Sequence, residues 1–198
     1  NVAGKPQIAF DPEASRKVLA AVRASADCDI WVKLPPLQDR RLVEEMAGIL
    51  LDNRVQAAVC INSPSGLDVD VETEMTSIHP NGGGGGTGGR DVLRVALWNV
   101  RQFAQALGDQ ISVIGCGGIE SGDDVFKHVL CGASAVQVGT SFLMEGVGVF
   151  GRLKRELSDL LVKKDASSLL QKRGKLQVLP PAEEGTWSQN KIRWKSGY

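Results

Sequence analysis

VIGCGGIESGDDVFKHVLCGASAVQVGTSF (residues 113–142) carries one pattern twice: an apolar run that stops at glycine and gives way to a helix. The run ISVIGCGG (111–118) has the length and β-branched content of a buried strand, and it stops at Gly117 and Gly118. SGDDVFKHVLC (about 121–131) reads as a helix, SAVQVGT (134–140) as a second strand stopped by Gly139 and Thr140, and VFGRLKRELSDLLVKK (149–164) as the helix that follows it. Bare backbone N–H groups at such a turn, aimed together with a helix dipole, make a ready anion site. Gly-Gly and Gly-Thr also make ordinary tight turns, so either turn alone leaves the reading open. Two of them at successive strand ends favour phosphate.

Working outward, the same rhythm fills the chain. DPEASRKVLAAVRASA (11–26) spaces Ala14, Val18, Ala21 and Val22 as one helical face after an acidic, Pro-containing start. DIWVKLPP (29–36) is a short strand closed by two prolines, with Lys33 near its carboxyl end. DRRLVEEMAGILLDN (39–53) is a helix with Leu42, Met46, Ile49 and Leu50 on one face, and VQAAVCINS (55–63) is a strand ending in Asn62 and Ser63. An irregular stretch covers 64–90, and DVLRVALWNVRQFAQAL (91–107) is the next helix. Four strands, each followed by a helix, predict an α/β fold with a parallel sheet covered by helices. Such folds build their sites at strand carboxyl ends, where Lys33, Asn62, Ser63 and both glycine turns fall.

HPNGGGGGTGGR (79–90) has seven glycines in twelve residues. Composition alone makes it a flexible linker. It contains G-x-G-x-x-G at Gly84, Gly86 and Gly89, but any run so rich meets that pattern by chance, and no strand precedes it. A P-loop is excluded because no Lys-Ser/Thr follows the last glycine. The remaining reading is a loop whose bare backbone lets a flat or anionic ligand come close. Lys33 is either a side chain reaching the rim of the fold or a partner for negative charge that develops during a reaction. Asn62 and Ser63 could equally form a simple turn. His79 and His128 have no evident triad partners, and the spacing of His128 from Asp124 places it on the helix surface.

At 198 residues and 42% hydrophobic content the chain is long enough for one domain with an ample core. Lys+Arg and Asp+Glu both number 23, so there is no excess charge for nucleic acid or an anionic membrane. The cysteines Cys28, Cys60, Cys116 and Cys131 form no CxxC pair, and no zinc or other metal site is expected; Cys60 and Cys116, inside apolar strands, read as buried thiols. No apolar run reaches the length of about 20 residues that spans a bilayer. The chain opens on Asn1, which points to a removed segment or to one piece of a longer polypeptide. Its end, 175–198, carries two tryptophans, the one tyrosine and a basic close at Lys191, Arg193 and Lys195, a composition that fits a docking segment at least as well as a disordered tail.

Taken in order, NVAGKPQ, VKLPP, INS, the GGxGG loop, the 113–142 block, EG-x-x-x-F and RGKL resemble dihydroorotate dehydrogenase, in particular its soluble, fumarate-using class, from Asn1 to about Leu176. The resemblance implies an FMN enzyme on a (β/α)8 TIM barrel that oxidises dihydroorotate to orotate in pyrimidine synthesis, with residues 1–176 as strands 5–8 and 177–198 as an extension. It implies that Gly88 and Gly89 approach the flavin, that Gly117, Gly118, Gly139 and Thr140 cradle the FMN phosphate, and that Lys33 lies at the flavin N1/O2 edge. Asn62 and Ser63 would contact substrate and flavin, and Asn1 the orotate carboxylate. The family's cysteine base belongs to a Ser-Cys-Pro-Asn motif of which Asn1 matches only the last letter, so the base and first four strands are expected on an amino-terminal half-barrel, as a separate chain or fragment. Departures from the family pattern are Asn62-Ser63-Pro64-Ser65-Gly66-Leu67 in place of Asn-Ser-Ile-Gly-Asn-Gly-Leu, His79 in place of a lysine, and Arg94 in place of a proline. The competing readings are a non-catalytic subunit of a larger assembly that docks through 185–198, and a different FMN-dependent barrel reductase. The expected location is cytoplasmic, or mitochondrial within an organellar assembly.

Overall fold

A computed structural model describes residues 7–179; Asn1 and the 185–198 segment lie outside the described residues. Asp11 accepts a hydrogen bond from the Ala14 amide at 3.0 Å and Pro12 presets φ, so helix α1 (Pro12–Ser25) begins where its sequence signals place it. Strand β1 (Trp31–Leu34) stops at Pro35, and Asp39 caps helix α2 (Arg40–Asp52) by accepting from the Arg41 amide at 2.9 Å. Strand β2 (Ala57–Cys60) follows. The stretch expected to be irregular forms two small antiparallel ribbons: β3 (Ser65–Leu67) pairs with β6 (Gly84–Gly86), and β4 (Val69–Asp70) pairs with β5 (Met75–Thr76). Helix α3 (Leu93–Leu107), strand β7 (Ser112–Cys116), helix α4 (Gly122–Cys131) and strand β8 (Ala135–Gln137) come next. A short helix α5 (Thr140–Glu145), not foreseen from the sequence, precedes α6 (Gly148–Lys163).

The main sheet runs β1-β2-β7-β8, all parallel and in chain order, so it winds in one direction. Register divides its two faces. Leu34, Ala58, Cys60 and Val113 point to the helices and join Leu50, Val100, Phe103 and others in the main core. Phe103 is fully buried there, and its truncation to alanine is expected to cost about 3–5 kcal/mol. The opposite face carries Trp31, Lys33, Ala57, Val59, Ile114 and Cys116, with Ala57, Val59 and Ile114 forming a second small cluster. A third cluster, of Ile119, Val125, Val149 and Leu153, seats α4 and α6 beside β8. No helix among the described residues is long and apolar enough to cross a membrane.

Two expectations are corrected. The buried positions of α1 are Ser15 and Leu19, while Val18 and Val22 are exposed. The helix is turned toward α2 by Arg23, whose guanidinium donates to the carbonyls of Asn53 and Arg54 and to the Gln56 side chain. His128 is not a surface residue: it is fully buried, as is Asp124 one turn earlier. Gly115, on the helix-facing side of β7, makes the room, because a side chain there would collide with the His128 ring.

Among the described residues, the outer strands β1 and β8 each have one unpaired edge. Trp31 on β1 is 59% exposed, and Leu143, Met144 and Val147, which follow β8 in the chain, are exposed as well.

Candidate functional site

Strand β1 contributes Lys33, the end of β2 contributes Asn62 and Ser63, and the ends of β7 and β8 contribute Gly117, Gly118, Gly139 and Thr140. With Gly88 and Gly89 from the glycine loop, these residues line one cavity of about 200 Å³. Every candidate site residue within the described region is therefore brought together, at the strand ends where parallel sheets place ligands.

Each wall has a local cause. Gly118 has φ +71 and rests on the backbone of Leu93, where an added Cβ would lie 2.6 Å from the Leu93 Cα and 2.7 Å from its N. Only glycine fits that close approach and that left-handed conformation. The two turns are tied to each other, since Ser141 donates its buried hydroxyl to the carbonyl of Ile119 at 2.7 Å. Gly139 is different, with nothing within 4 Å of an added Cβ. Its lack of a side chain relieves no clash within the protein.

The glycine run divides into two parts. Gly83, Gly85 and Gly86 are bare because the chain's own side chains press on them: Thr76, Ile78 and Ser63 respectively. Gly88 and Gly89 are the portion that lines the cavity, with an added Cβ at Gly88 only 3.0 Å from Thr140 Oγ1. The reading of this segment as a loop of approach holds for its carboxyl end, and its middle is a β ribbon.

Lys33 donates from Nζ to Cys116 Sγ at 3.2 Å across the concave face. Cys60 is buried as expected, and burial pushes its thiol well above the usual range. Cys116 departs from that expectation: it is half-buried and part of the cavity wall. Period-two alternation from Ile114 could have shown which face it takes, but not that Lys33 lies opposite it two strands away. Gln137, Thr87 and Ser141 also line the cavity and were not singled out from the sequence.

Helix α4 supports the walls from behind. His128 Nε2 lies 3.1 Å from the Gly117 carbonyl, and since a carbonyl only accepts, Nε2 carries the proton. Burial lowers the pKa of His128, so the ring is neutral near pH 7. Asp124 accepts from Arg90 Nη1 (2.7 Å), Lys127 Nζ (2.7 Å), Ser121 Oγ (2.9 Å) and, at 3.3 Å, the Glu120 amide. Burial opposes its charge, but the hydrogen bonds from Lys127, Arg90 and Ser121 outweigh that and hold its carboxyl below the ordinary range.

The model of the family described as dihydroorotate dehydrogenase matches residues 1–161. Dihydroorotate dehydrogenase (fumarate) of Lachancea kluyveri is 46% identical over 180 residues, covering 90% of this chain and 57% of the relative. Probable dihydroorotate dehydrogenase A (fumarate) of Enterococcus faecalis is also 46% identical over 180 residues, covering 90% of this chain and 58% of the relative. The chain thus spans little more than half the length of these relatives. Among solved structures, a dihydroorotate dehydrogenase of Eimeria tenella in complex with ferulenol superposes with a TM-score of 0.69 at 21% identity, over 83% of this chain and 48% of that one. The shared fold is a (β/α)8 barrel, and the four parallel strands are its carboxyl-terminal half. With sequence and fold in agreement along most of its length, the chain belongs to the dihydroorotate dehydrogenase family.

Proposed function

We propose that this chain is the carboxyl-terminal portion of an FMN-dependent dihydroorotate dehydrogenase, which oxidises dihydroorotate to orotate in pyrimidine biosynthesis. One observation carries the reading: the lysine, the Asn-Ser pair and the three glycine turns, dispersed along the sequence, line a single cavity. That cavity suits a flat group with a phosphate. It offers bare backbone at Gly88, Gly89, Gly117, Gly118 and Gly139, a hydroxyl at Thr140, and one ammonium on the concave face.

In this reading Gly117, Gly118, Gly139 and Thr140 hold the phosphate through backbone and hydroxyl donors. Gly88 and Gly89, which line the same cavity, would face the ring system. When bound, FMN supplies a two-electron acceptor on which negative charge develops at the N1/O2 edge. Lys33, whose Nζ donates to Cys116 Sγ, would present a positive charge to that edge. Asn62 and Ser63 orient dihydroorotate, Asn1 holds its carboxylate, and removal of the substrate proton is assigned to a cysteine on the amino-terminal portion.

The partner is that amino-terminal half-barrel, with which the unpaired edges of β1 and β8 would close the sheet. The 185–198 segment is a docking handle for further protein subunits, and the setting is cytoplasmic, or mitochondrial within an organellar assembly. The test is to produce the chain with the amino-terminal portion and follow orotate formation with fumarate as acceptor. Orotate formation together with bound FMN supports the reading. An assembled pair with neither would replace it with a non-catalytic subunit.

A further inference from the structure

Arg90 closes the glycine run, and no part of the mechanism above uses it. Its guanidinium is half-exposed, with 52% of the side chain accessible, while its partner Asp124 is only 1% accessible. Asp124 belongs to α4, the same helix that holds the Gly117 carbonyl through His128. Just before Arg90 come Gly88 and Gly89; a Cβ added at Gly88 would lie 3.0 Å from Thr140 Oγ1 of the other turn, and Gly89 has φ +69. The last residues of the glycine loop therefore have no side chain of their own with which to hold a position. Arg90 is the first residue after them that has one, and it reaches back to a carboxylate buried behind the opposite wall.

We propose that the Arg90–Asp124 ion pair is a latch that fixes the Gly88–Gly89 wall against the Gly117–Gly118 and Gly139–Thr140 turns, which makes Arg90 a positioning residue for the phosphorylated ligand of the cavity. Asp124 keeps Lys127, Ser121 and the Glu120 amide when Arg90 is lost, so the buried charge stays compensated and the helix stays in place. The loop is what is released. The flavin phosphate as ligand rests on the function proposed above; the latch itself does not, because it is a contact between two protein side chains.

The experiment compares wild type, Arg90→Met and Arg90→Lys in the assembled protein. Ligand-free amide exchange over residues 87–92 is read first, with β2 and β7 amides as the control for global stability. Arg90→Met is expected to speed exchange in 87–92 by tenfold or more with the control amides unchanged, and Arg90→Lys to recover most of the protection. FMN and riboflavin affinities are then measured. Arg90→Met is expected to weaken FMN about tenfold, chiefly through faster release, with a smaller effect on riboflavin, and Arg90→Lys to restore it. Unchanged exchange in 87–92 overturns the latch, and a loosened loop with unchanged FMN affinity overturns the role of Arg90 in positioning the ligand. If wild type takes up no FMN, it is the flavin reading that fails, and the exchange result alone decides whether Arg90 holds the wall.

Discussion

His128 donates its Nε2 proton to the carbonyl of Gly117 at 3.1 Å, from a fully buried position on α4. A helix face thus sets the turn that lines the far side of the cavity. His128→Gln carries an amide donor at a similar reach and should preserve the contact. His128→Asn is too short and would leave a buried carbonyl unpaired, at a cost of about 1–3 kcal/mol. Chemical denaturation of the two variants tests this: the asparagine form should be the less stable by that margin.

The same residue gives a pH signature. Its folded pKa is lowered from the usual 6.5, mainly by burial, with Lys127 acting the same way and Asp124 and the Gly117 hydrogen bond opposing. Above pH 7 both folded and unfolded chains carry a neutral ring, so it contributes no slope. Below about 6.5 the unfolded chain takes up a proton that the folded chain refuses, and stability falls with pH by at most ~1.4 kcal/mol per unit. Asp124, with a folded pKa below 3.8, acts only in a lower window. Denaturation midpoints between pH 7 and pH 5 should therefore decline in wild type and stay flatter in His128→Gln.

Lys33→Met should leave FMN bound, since the phosphate turns are untouched, and should slow flavin reduction by dihydroorotate about 100-fold or more. Rapid-mixing spectroscopy under anaerobic conditions reads both quantities. Loss of FMN with an unchanged reduction rate in the remaining holoenzyme would assign Lys33 to cofactor retention instead.

Gly118 and Gly139 should separate structure from binding. Gly118→Ala drives a Cβ into the Leu93 backbone at positive φ and should cost roughly 2 kcal/mol or more of stability. Gly139→Ala meets nothing within 4 Å in the protein, so its effect on stability should be within about 0.5 kcal/mol. If the phosphate sits against that turn, the same methyl group lowers FMN affinity tenfold or more, measurable by fluorescence titration.

Leu143 and Met144, in the helix α5 that follows β8, are 81% and 82% exposed. Leu143→Glu with Met144→Glu should leave the stability of this chain unchanged and abolish co-purification with the amino-terminal portion. Unchanged co-purification would place the partner elsewhere.

The strand–helix rhythm was legible because buried strands and amphipathic helices differ in period, and strand ends bear the polar and glycine residues that make a site. Lys33, Asn62 and both turns could be found in that way, as could helices α2 to α4 within one or two residues of their boundaries. The orientation of α1 could not, because Val18 and Val22 satisfy helical spacing while Arg23 turns the helix onto other residues. The burial of His128 is hidden from such a reading for a related reason. Polar residues one turn apart look like a solvated face unless one knows that Gly115 has cleared a space opposite and that Arg90 arrives from a distant loop. The glycine run was legible only as a whole; which glycines face the chain and which the cavity depends on the positions of Thr76, Ile78, Ser63 and Thr140.

The most direct test of the account is FMN binding by this chain assembled with its amino-terminal portion, titrated against riboflavin by flavin fluorescence. The account predicts one tightly held FMN per chain, a much weaker riboflavin complex, and bleaching of the bound flavin when dihydroorotate is added without oxygen. Absence of FMN binding, or equal affinity for FMN and riboflavin, would contradict the claim that these four strand ends grip a flavin phosphate.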